Sequence, residues 1–265
     1  MVTELDRRVH RPDGCRIAFA VHGAPEAPGI LVSYPWTPGN ARYMSKVAPL
    51  DLMQLTSDVD ELLNTLAAHA RVAIFDYPRG IGETTGPRPD DLTVATVVDD
   101  YLAVADAAGL TEFILLGYSW SASAAIHVAS RTSRCKALII GGWPPLDSPH
   151  RDLRDACLAL ASDVQDPRSG LAGMYARYYQ SLLDDRTAAP LSTTGVLFYG
   201  TGDSEPMAGA SASALTLIRR NTDLLADQGW HMIEVPGRDH LGCATADIVS
   251  PIVLTVLSAL DLGAC

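Results

Sequence analysis

Short apolar runs alternate with longer amphipathic stretches along most of the chain. Seven runs are typical of strands, at residues 16–21, 30–33, 72–75, 113–116, 137–140, 195–199 and 232–235. Several of them are almost wholly apolar, a pattern that suits strands buried on both faces of a parallel sheet. Helical patterns lie at residues 52–70, 94–108, 121–130, 212–228 and 248–260. This alternation predicts an α/β fold with a doubly wound, mostly parallel sheet.

One stretch, residues 143–194, interrupts the alternation. It has no convincing strand pattern, and its helical patches lie at residues 152–160 and 171–183. Long structureless loops are uncommon in compact domains and are usually functional. We therefore predict a small helical lid at residues 143–194, inserted into a core formed by residues 1–142 and 195–265. A long surface connection is the alternative interpretation.

The most informative segment is a serine between a strand pattern and a helix pattern. The apolar run ends at Gly117, and Ser119 follows immediately before a helical stretch rich in small residues. Small residues two positions before and after Ser119 let a strand and a helix approach closely. The N-terminus of the helix favours developing negative charge. The alternative is that Ser119 caps the helix, which is a common role for serine.

The pentapeptide at residues 117–121 resembles the nucleophile elbow G-x-S-x-G of the α/β-hydrolases, with Ser121 in place of the second glycine. The segment Asp-Tyr-Pro-Arg-Gly-Ile-Gly at residues 76–82 is similar to the D-x-R-G-x-G-type loop of the same family. The resemblance covers roughly residues 14–259 and is weakest at 143–194. It implies an α/β-hydrolase fold with Ser119 as the nucleophile.

A serine hydroxyl is a poor nucleophile without a base. The resemblance implies the chain order serine, acid, histidine. Of the seven histidines, His240 is the predicted base because it lies in the loop after the last predicted strand. Asp203 is the predicted acid because it follows the preceding strand in a glycine-rich turn, with Glu205 and Asp147 as competitors. A turn-stabilising aspartate is the alternative interpretation of Asp203.

The donors of an oxyanion hole are less clear in this sequence. The backbone N–H of Trp120, directly after Ser119, is expected to be one donor. The second is expected from the loop after residues 30–33, where the ungapped position holds Pro35. Proline has no N–H. We therefore expect the Trp36 N–H or the Tyr34 hydroxyl to donate, or the hole to be weak.

Aromatic residues collect at the predicted carboxyl ends of the strands, the edge where open α/β sheets bind ligands. Tyr118 and Trp143 are among them. A predicted lid helix carries Met174, Tyr175, Tyr178 and Tyr179, in which Tyr178 follows Met174 by four residues and Tyr175 by three. For any single lid residue, packing of the lid on the core is the simpler explanation. As a set, the strand-end aromatics and the lid residues predict an apolar substrate pocket with hydroxyl groups in its walls.

Composition restricts the partners and the location. The 265-residue chain has a net charge of −11, which argues against nucleic acid or an anionic membrane as its main partner. Its five cysteines are widely spaced without a CxxC pair, which argues against a disulfide framework or a structural zinc site. No secretory signal pattern and no bilayer-length apolar run occurs in the sequence. We expect a cytoplasmic protein that needs no metal or cofactor.

These observations predict a serine-dependent hydrolase of an ester or lactone of a small, largely apolar or aromatic substrate. One alternative is thioester hydrolysis, acyl transfer, cyclisation or C–C bond cleavage by the same three residues. Another is a non-catalytic small-molecule-binding protein on the same scaffold, because fold alone does not determine function. A serine nucleophile argues against dehalogenase or epoxide hydrolase chemistry, whose relatives on this fold use aspartate. The expected partner is a small molecule, and a homo-oligomer is left open.

Overall fold

The structure is a computed structural model that describes residues 4–33, 35–47, 51–86, 92–185, 193–207 and 209–262. Strands and helices alternate through most of these ranges. The strands are β1 (Arg7–His10), β2 (Arg16–His22), β3 (Gly29–Val32), β4 (Arg71–Phe75), β5 (Phe113–Tyr118), β6 (Cys135–Gly141), β7 (Thr194–Gly200) and β8 (Trp230–Val235). The helices are α1 (Pro38–Val47), α2 (Leu52–Ala67), α3 (Val94–Ala107), α4 (Trp120–Ala129), α5 (His150–Ala161), α6 (Ser169–Asp184), α7 (Ala214–Arg220), α8 (Thr222–Asp227) and α9 (Ala246–Leu262).

The strands of the described ranges form one sheet in the order β1-β2-β4-β3-β5-β6-β7-β8. β2 is antiparallel to both β1 and β4, and the neighbouring strands from β4 to β8 are parallel. The chain runs outward from β3 to β4 and then returns to place β5 on the other side of β3. A crevice opens at the carboxyl ends of strands at such a switch point. The segments after β3 and β5 therefore meet there.

Two apolar cores cover the two faces of the sheet. Alternate residues of β5 point to opposite faces, as the pleat requires. Phe113 and Leu115 join the core that includes residues of α3 and α4. Ile114 and Leu116 join the core that includes residues of α2 and α9. Burial of β5 on both faces explains its continuous apolar run, and it confirms the predicted doubly wound α/β fold.

Between β6 and β7 the described residues form helices α5 and α6, which match the two helical patches expected there. The functional separation of this segment as a lid stays a prediction. Two elements were not predicted: the edge strand β1 and helix α1. The predicted helix at 212–228 is two helices, α7 and α8, which meet at Asn221. Over the described part of the chain, no helix combines the length and the apolarity needed to cross a membrane.

Candidate active site

Ser119 lies at a sharp turn between the end of β5 and the start of α4. Its backbone has φ 54° and ψ −124°, a conformation that side-chain-bearing residues rarely adopt. Such strain costs about 1–3 kcal/mol and persists only where the surrounding structure enforces it. A Cβ atom on Gly117 would lie 2.6 Å from the Ser121 carbonyl oxygen, so the glycine is required for strand and helix to approach this closely.

Ser121 shows how this turn forms without the second glycine. Its side chain is fully buried, and its Oγ accepts a hydrogen bond from the Tyr118 N–H at 2.8 Å. The same hydroxyl donates to the Tyr118 carbonyl oxygen at 3.0 Å. The small serine fits, and both of its hydrogen bonds hold the backbone immediately before Ser119.

The structure brings Ser119, His240 and Asp203 together in one hydrogen-bonded series. His240 Nε2 is 3.0 Å from Ser119 Oγ, and His240 Nδ1 is 2.9 Å from Asp203 Oδ2. An ionised carboxylate only accepts hydrogen bonds, so the Nδ1 proton faces Asp203 and leaves Nε2 to accept from Ser119. The three residues follow β5, β7 and β8, whose carboxyl ends lie at one edge of the sheet. This is the spatial arrangement that the sequence predicted.

The two competing acids lie elsewhere. Asp147 is exposed, has φ 54°, and accepts a hydrogen bond from the Asn221 amide at 3.1 Å. Glu205 is exposed on the same side of the site as Asp203. Asp203 has only 5% of its surface exposed and is the acid that contacts His240.

Tyr118 has a structural contact that sequence reasoning missed. Its hydroxyl donates a hydrogen bond to the His240 carbonyl oxygen, and the two rings lie 5.2 Å apart. Tyr118 was predicted to bind substrate, and its side chain does border one cavity beside Ser119. It therefore also fixes the loop that carries His240. No local sequence signal indicated this contact, because the two residues come from distant parts of the chain.

Two cavities meet at Ser119 and His240. The first, of about 240 Å³, lies between the elbow and helices α1 and α2, and its walls include Trp36, Met44 and Val59. The second, of about 340 Å³, lies on the side of α5 and α6. Its walls include Trp120, Trp143, Leu153, Tyr179 and Met207. A substrate whose reacting bond lies at Ser119 thus has space on both sides.

The residues predicted to bind substrate differ in where they lie relative to the two cavities. Trp143 borders the second cavity, as predicted. Met174, Tyr175 and Tyr178, however, do not line either cavity. Met174 and Tyr178 are buried in the core, and the Tyr175 and Tyr178 rings pack on Trp120 at 5.0 and 5.2 Å. This face of α6 turns towards α4 rather than towards open space, so Tyr179 is the α6 tyrosine that reaches the second cavity.

Trp36, one of the expected oxyanion donors, has hydrogen-bond partners within the protein. The Trp36 N–H donates to the Ser33 carbonyl oxygen at 3.2 Å within a turn, and its indole N–H donates to the Ala244 carbonyl oxygen. Both N–H groups of Trp36 therefore already have acceptors within the protein, and the role predicted for Trp36 stays a prediction. Tyr34 lies outside the described residues. The Trp120 N–H belongs to the first turn of α4, where backbone donors have no partner within the helix.

Asp76 anchors the loop that borders the nucleophile. Its fully buried carboxylate accepts hydrogen bonds from the N–H groups of Gly39 at 3.0 Å and Glu83 at 2.8 Å. Burial raises the pKa of Asp76, although hydrogen bonds from Thr37, Glu83 and Gly39 favour its ionised form. A Cβ on Gly39 or Gly82 would collide with this carboxylate. The loop after β3 is therefore tied to the loop after β4.

No group of three or more His, Cys, Asp or Glu side chains suited to a metal ion occurs among the residues that the structure describes. The hydrogen-bonded side chains at the site supply an alcohol, an imidazole and a carboxylate.

Comparison with known proteins gives a family and several relatives. A family model described as "alpha/beta hydrolase fold" matches residues 55–253. Two curated relatives, from Klebsiella pneumoniae (strain 342) and Klebsiella variicola (strain At-22), are each described as "Putative carbamate hydrolase RutD". Each is 36% identical over 87 residues, which is 32% of this chain and 32% of the relative. The matched region thus spans about a third of these relatives' length.

Solved structures match over nearly the whole chain at low identity. A hydrolase from Pseudomonas aeruginosa PA01 superposes with a TM-score of 0.65 at 19% identity, covering 95% of this chain and 97% of the other. Epoxide hydrolase VrEH1 from Vigna radiata superposes with a TM-score of 0.67 at 14% identity, covering 96% and 97%. At these identities the likeness concerns the fold alone.

Proposed function

The chain belongs to the α/β-hydrolase family, and from this premise we propose that it is a serine-dependent hydrolase of carboxylic esters or lactones. The observation that carries the proposal is the hydrogen-bonded series from Asp203 through His240 to Ser119. The strained backbone of Ser119, which exposes its hydroxyl beside both cavities, supports it. Membership of the family supports the assignment as a hydrolase, and the three side chains support the proposed reaction.

In the proposed reaction Ser119 Oγ attacks the substrate carbonyl carbon while His240 Nε2 takes its proton. The buried Asp203 carboxylate holds the imidazole in place and stabilises the imidazolium that forms. His240 then returns the proton to the departing alcohol oxygen, leaving an acyl group on Ser119. Water, deprotonated by His240, releases the acid and restores the serine.

The tetrahedral intermediate needs donors for its negative oxygen. We assign the first to the Trp120 N–H, at the positive end of the α4 dipole. The second remains proposed for the Tyr34 hydroxyl, since both N–H groups of Trp36 are engaged. Tyr34→Phe should lower kcat by about a hundredfold with little change in KM, the typical cost of one lost donor. An unchanged kcat would exclude the hydroxyl.

The substrate and setting are proposed from the surroundings of the site. The largely apolar walls of both cavities favour an apolar or aromatic substrate of modest size. We propose that α5 and α6 act as the lid over the second cavity, because Leu153 and Tyr179 form part of its wall. Free thiols at Cys15, Cys135, Cys157 and Cys243 support a reducing, cytoplasmic setting.

An alkyl fluorophosphonate tests the proposed nucleophile directly. Intact-mass analysis should show one adduct, peptide mapping should assign it to Ser119, and Ser119→Ala should remove it. A panel of p-nitrophenyl esters and lactones should then show turnover that Ser119→Ala abolishes. An adduct on another serine, or no adduct on folded protein, would contradict the proposal.

Variants of Asp203 and His240 test whether these two residues assist Ser119 in turnover. Asp203→Asn and His240→Ala should each lower kcat by at least a thousandfold, and the double variant should be little worse than the worse single one. Asp147→Asn is the matched control, because that exposed carboxylate contacts Asn221 instead of His240. Loss of activity in the Asp147 variant, with retention in the Asp203 variant, would show that the wrong acid was assigned.

The engaged donors of Trp36 favour a second candidate function, small-molecule binding on the same scaffold without turnover. A site with one backbone donor stabilises an oxyanion poorly. This candidate predicts rapid labelling of Ser119 without hydrolysis of any member of the ester and lactone panel. Hydrolysis that depends on Ser119 would eliminate it.

A further inference from the structure

The wall of the first cavity contains one carboxylate that the proposed reaction does not use. Helix α2 presents Leu55, Asp58 and Val59 to this cavity, at the spacing that places residues on one helical face. Ala41 and Met44 of α1 face them. Asp58 is thus the acidic member of an otherwise largely apolar lining that also contains Ser119 and His240.

Asp58 has no cationic partner among the residues that the structure describes. The Gln54 side-chain amide donates a hydrogen bond to Asp58 Oδ1 at 3.2 Å. Burial raises the pKa of Asp58, and the like charges of Glu61 and Asp247 act in the same direction. A carboxylate in such a place is stabilised by a positive charge, which the described protein does not supply.

The first cavity also has aromatic side chains in its wall, which is the second feature that favours binding of a cation. Trp36 and Tyr118 both line the cavity, and their rings meet edge to face at 5.8 Å. The faces of aromatic rings attract ammonium groups, with the strongest effect for tryptophan and for desolvated sites. A carboxylate and two aromatic rings in one apolar cavity form a pattern suited to an alkylammonium group.

We infer that the first cavity binds a substrate portion that carries a cationic, alkylammonium-type group, with Asp58 as its counter-charge and Trp36 and Tyr118 as its aromatic walls. This inference rests on the proposed function, because it places the cation beside the reacting bond at Ser119. Asp58 is a specificity-determining residue in this arrangement and takes no part in proton transfer.

Two probes of nearly equal shape, one cationic and one neutral, test whether binding in the first cavity depends on charge or on size. Choline and 3,3-dimethyl-1-butanol differ in having a quaternary nitrogen or a quaternary carbon at the same position. Each is titrated for protection of Ser119 against labelling by the fluorophosphonate. In the unaltered protein, choline should protect at about a tenfold lower concentration than the neutral alcohol, because a paired charge in an apolar cavity is favoured over the neutral group by roughly that factor.

Variants identify the residue responsible. Asp58→Asn keeps the shape of the side chain but removes its charge, so choline and the neutral alcohol should then protect at about equal concentrations. Asp60→Asn, on the same helix but outside the first cavity, should retain the full preference. Glu205→Gln should also retain it, because Glu205 borders the second cavity.

The outcomes of the inference and of the proposed function can be told apart. Equal protection by the two probes, or a preference that follows Glu205, would overturn the inference while labelling of Ser119 upheld the nucleophile. If no serine is labelled, the proposed function fails. Calorimetric titration of choline into the same variants then decides the cation site separately, and an unchanged affinity in Asp58→Asn overturns it.

Discussion

The hydroxyl of Ser121 holds the turn that carries Ser119. It is buried, and it bonds to both the N–H and the carbonyl group of Tyr118. Glycine at this position would allow the turn for lack of a side chain, whereas serine adds two hydrogen bonds to the backbone. The strained φ of Ser119 is thereby supported from within the same turn.

Removal of that hydroxyl should therefore affect both stability and reactivity. Ser121→Ala leaves the buried Tyr118 N–H without an acceptor, at a cost of about 1–3 kcal/mol in the free energy of unfolding. Urea denaturation measures this loss, and the rate of fluorophosphonate labelling should fall with it because Ser119 loses its support. Ser130→Ala, at the other end of α4, removes a hydroxyl bonded to the His127 carbonyl and should change neither value much. Equal effects of the two substitutions would contradict this role.

Between elements, a buried ion-pair cluster ties α3 to the loops that follow β1 and β4. Asp100 of α3 is fully buried and accepts hydrogen bonds from Arg79 at 2.7 and 2.8 Å and from Arg11 at 2.8 Å. The Tyr77 hydroxyl donates to it at 3.1 Å. Tyr77 in turn stacks on Trp120, with ring centroids 6.0 Å apart. The cluster thus reaches the residue next to the nucleophile.

Two aspartates of the same helix provide a matched test of this cluster. Asp100→Ala leaves the Arg79 guanidinium buried without its main partner, which should cost about 3–5 kcal/mol in the free energy of unfolding. Asp106→Ala breaks the more exposed pair with Arg134, which should cost at most about 1 kcal/mol. Chemical denaturation compares the two variants. Similar losses would mean that the buried cluster contributes no more than the surface pair.

The contact between the core and the α5–α6 segment contains two histidines. The His150 ring stacks 6.2 Å from Trp143 and 6.1 Å from Tyr179. Burial lowers the pKa of His150 to about 4. Burial, followed by the charge of Arg131, lowers the pKa of His127 to about 4, although the nearby Asp185 opposes this. Both imidazoles are therefore neutral in the folded protein at neutral pH.

This burial predicts a loss of stability in mild acid. Between the ordinary histidine pKa of 6.5 and the folded value of about 4, the unfolded chain binds protons that the folded chain does not. Stability from this source is complete above pH 6.5 and declines as the pH falls through that window. His150→Phe keeps the stacking but removes one proton site, which is worth about 2 kcal/mol at pH 5. Its Tm should therefore drop between pH 7.5 and 5 by roughly 4–8 °C less than that of the unaltered protein.

A second variant controls for histidine content. His69→Phe changes an exposed histidine just beyond α2 and should leave the pH dependence of Tm as it is in the unaltered protein. Differential scanning calorimetry at the two pH values measures all three proteins. An equal decrease in Tm for the His150 variant and the unaltered protein would show that His150 is not the source.

For the molecule as a whole, the site lies between two cavities that belong to different parts of the fold. Helices α1 and α2 bound the first, and the α5–α6 segment bounds the second. Ser119 and His240 border both. A substrate of the proposed reaction would therefore divide at its scissile bond, with the acyl part on one side and the alcohol part on the other.

Filling one cavity at a time tests this division. Leu55→Trp narrows the first cavity, and Met207→Trp narrows the second. Two ester series are compared by kcat/KM, one with increasing acyl length and one with increasing alcohol length. Each substitution should lower kcat/KM about tenfold or more for the long members of one series and spare the other, because a blocked cavity rejects only the portion it would hold. Loss in the same series for both variants would contradict the division.

The order of strands and helices was largely evident from the amino-acid sequence. Strands buried on both faces require apolar runs, so β3, β4, β5 and β6 were recognisable from local composition. Ser119, Asp203 and His240 were also predictable, because loops after parallel strands meet at one edge of the sheet whatever the details of packing. β1 carries no such signal because most of its residues are exposed. The start of α1 is buried, but its residues Pro38, Gly39 and Asn40 form no apolar run.

Only the tertiary structure decided what each side chain at the site contacts. The N–H groups of Trp36 donate hydrogen bonds to Ser33 and Ala244, and the Tyr178 side chain packs in the core. Both outcomes depend on contacts with loops and helices from distant parts of the chain. The contact of Tyr118 with His240 and the position of Asp58 in the first cavity have the same origin. Local sequence determines which elements form, whereas the direction of a side chain depends on neighbours that no local pattern specifies.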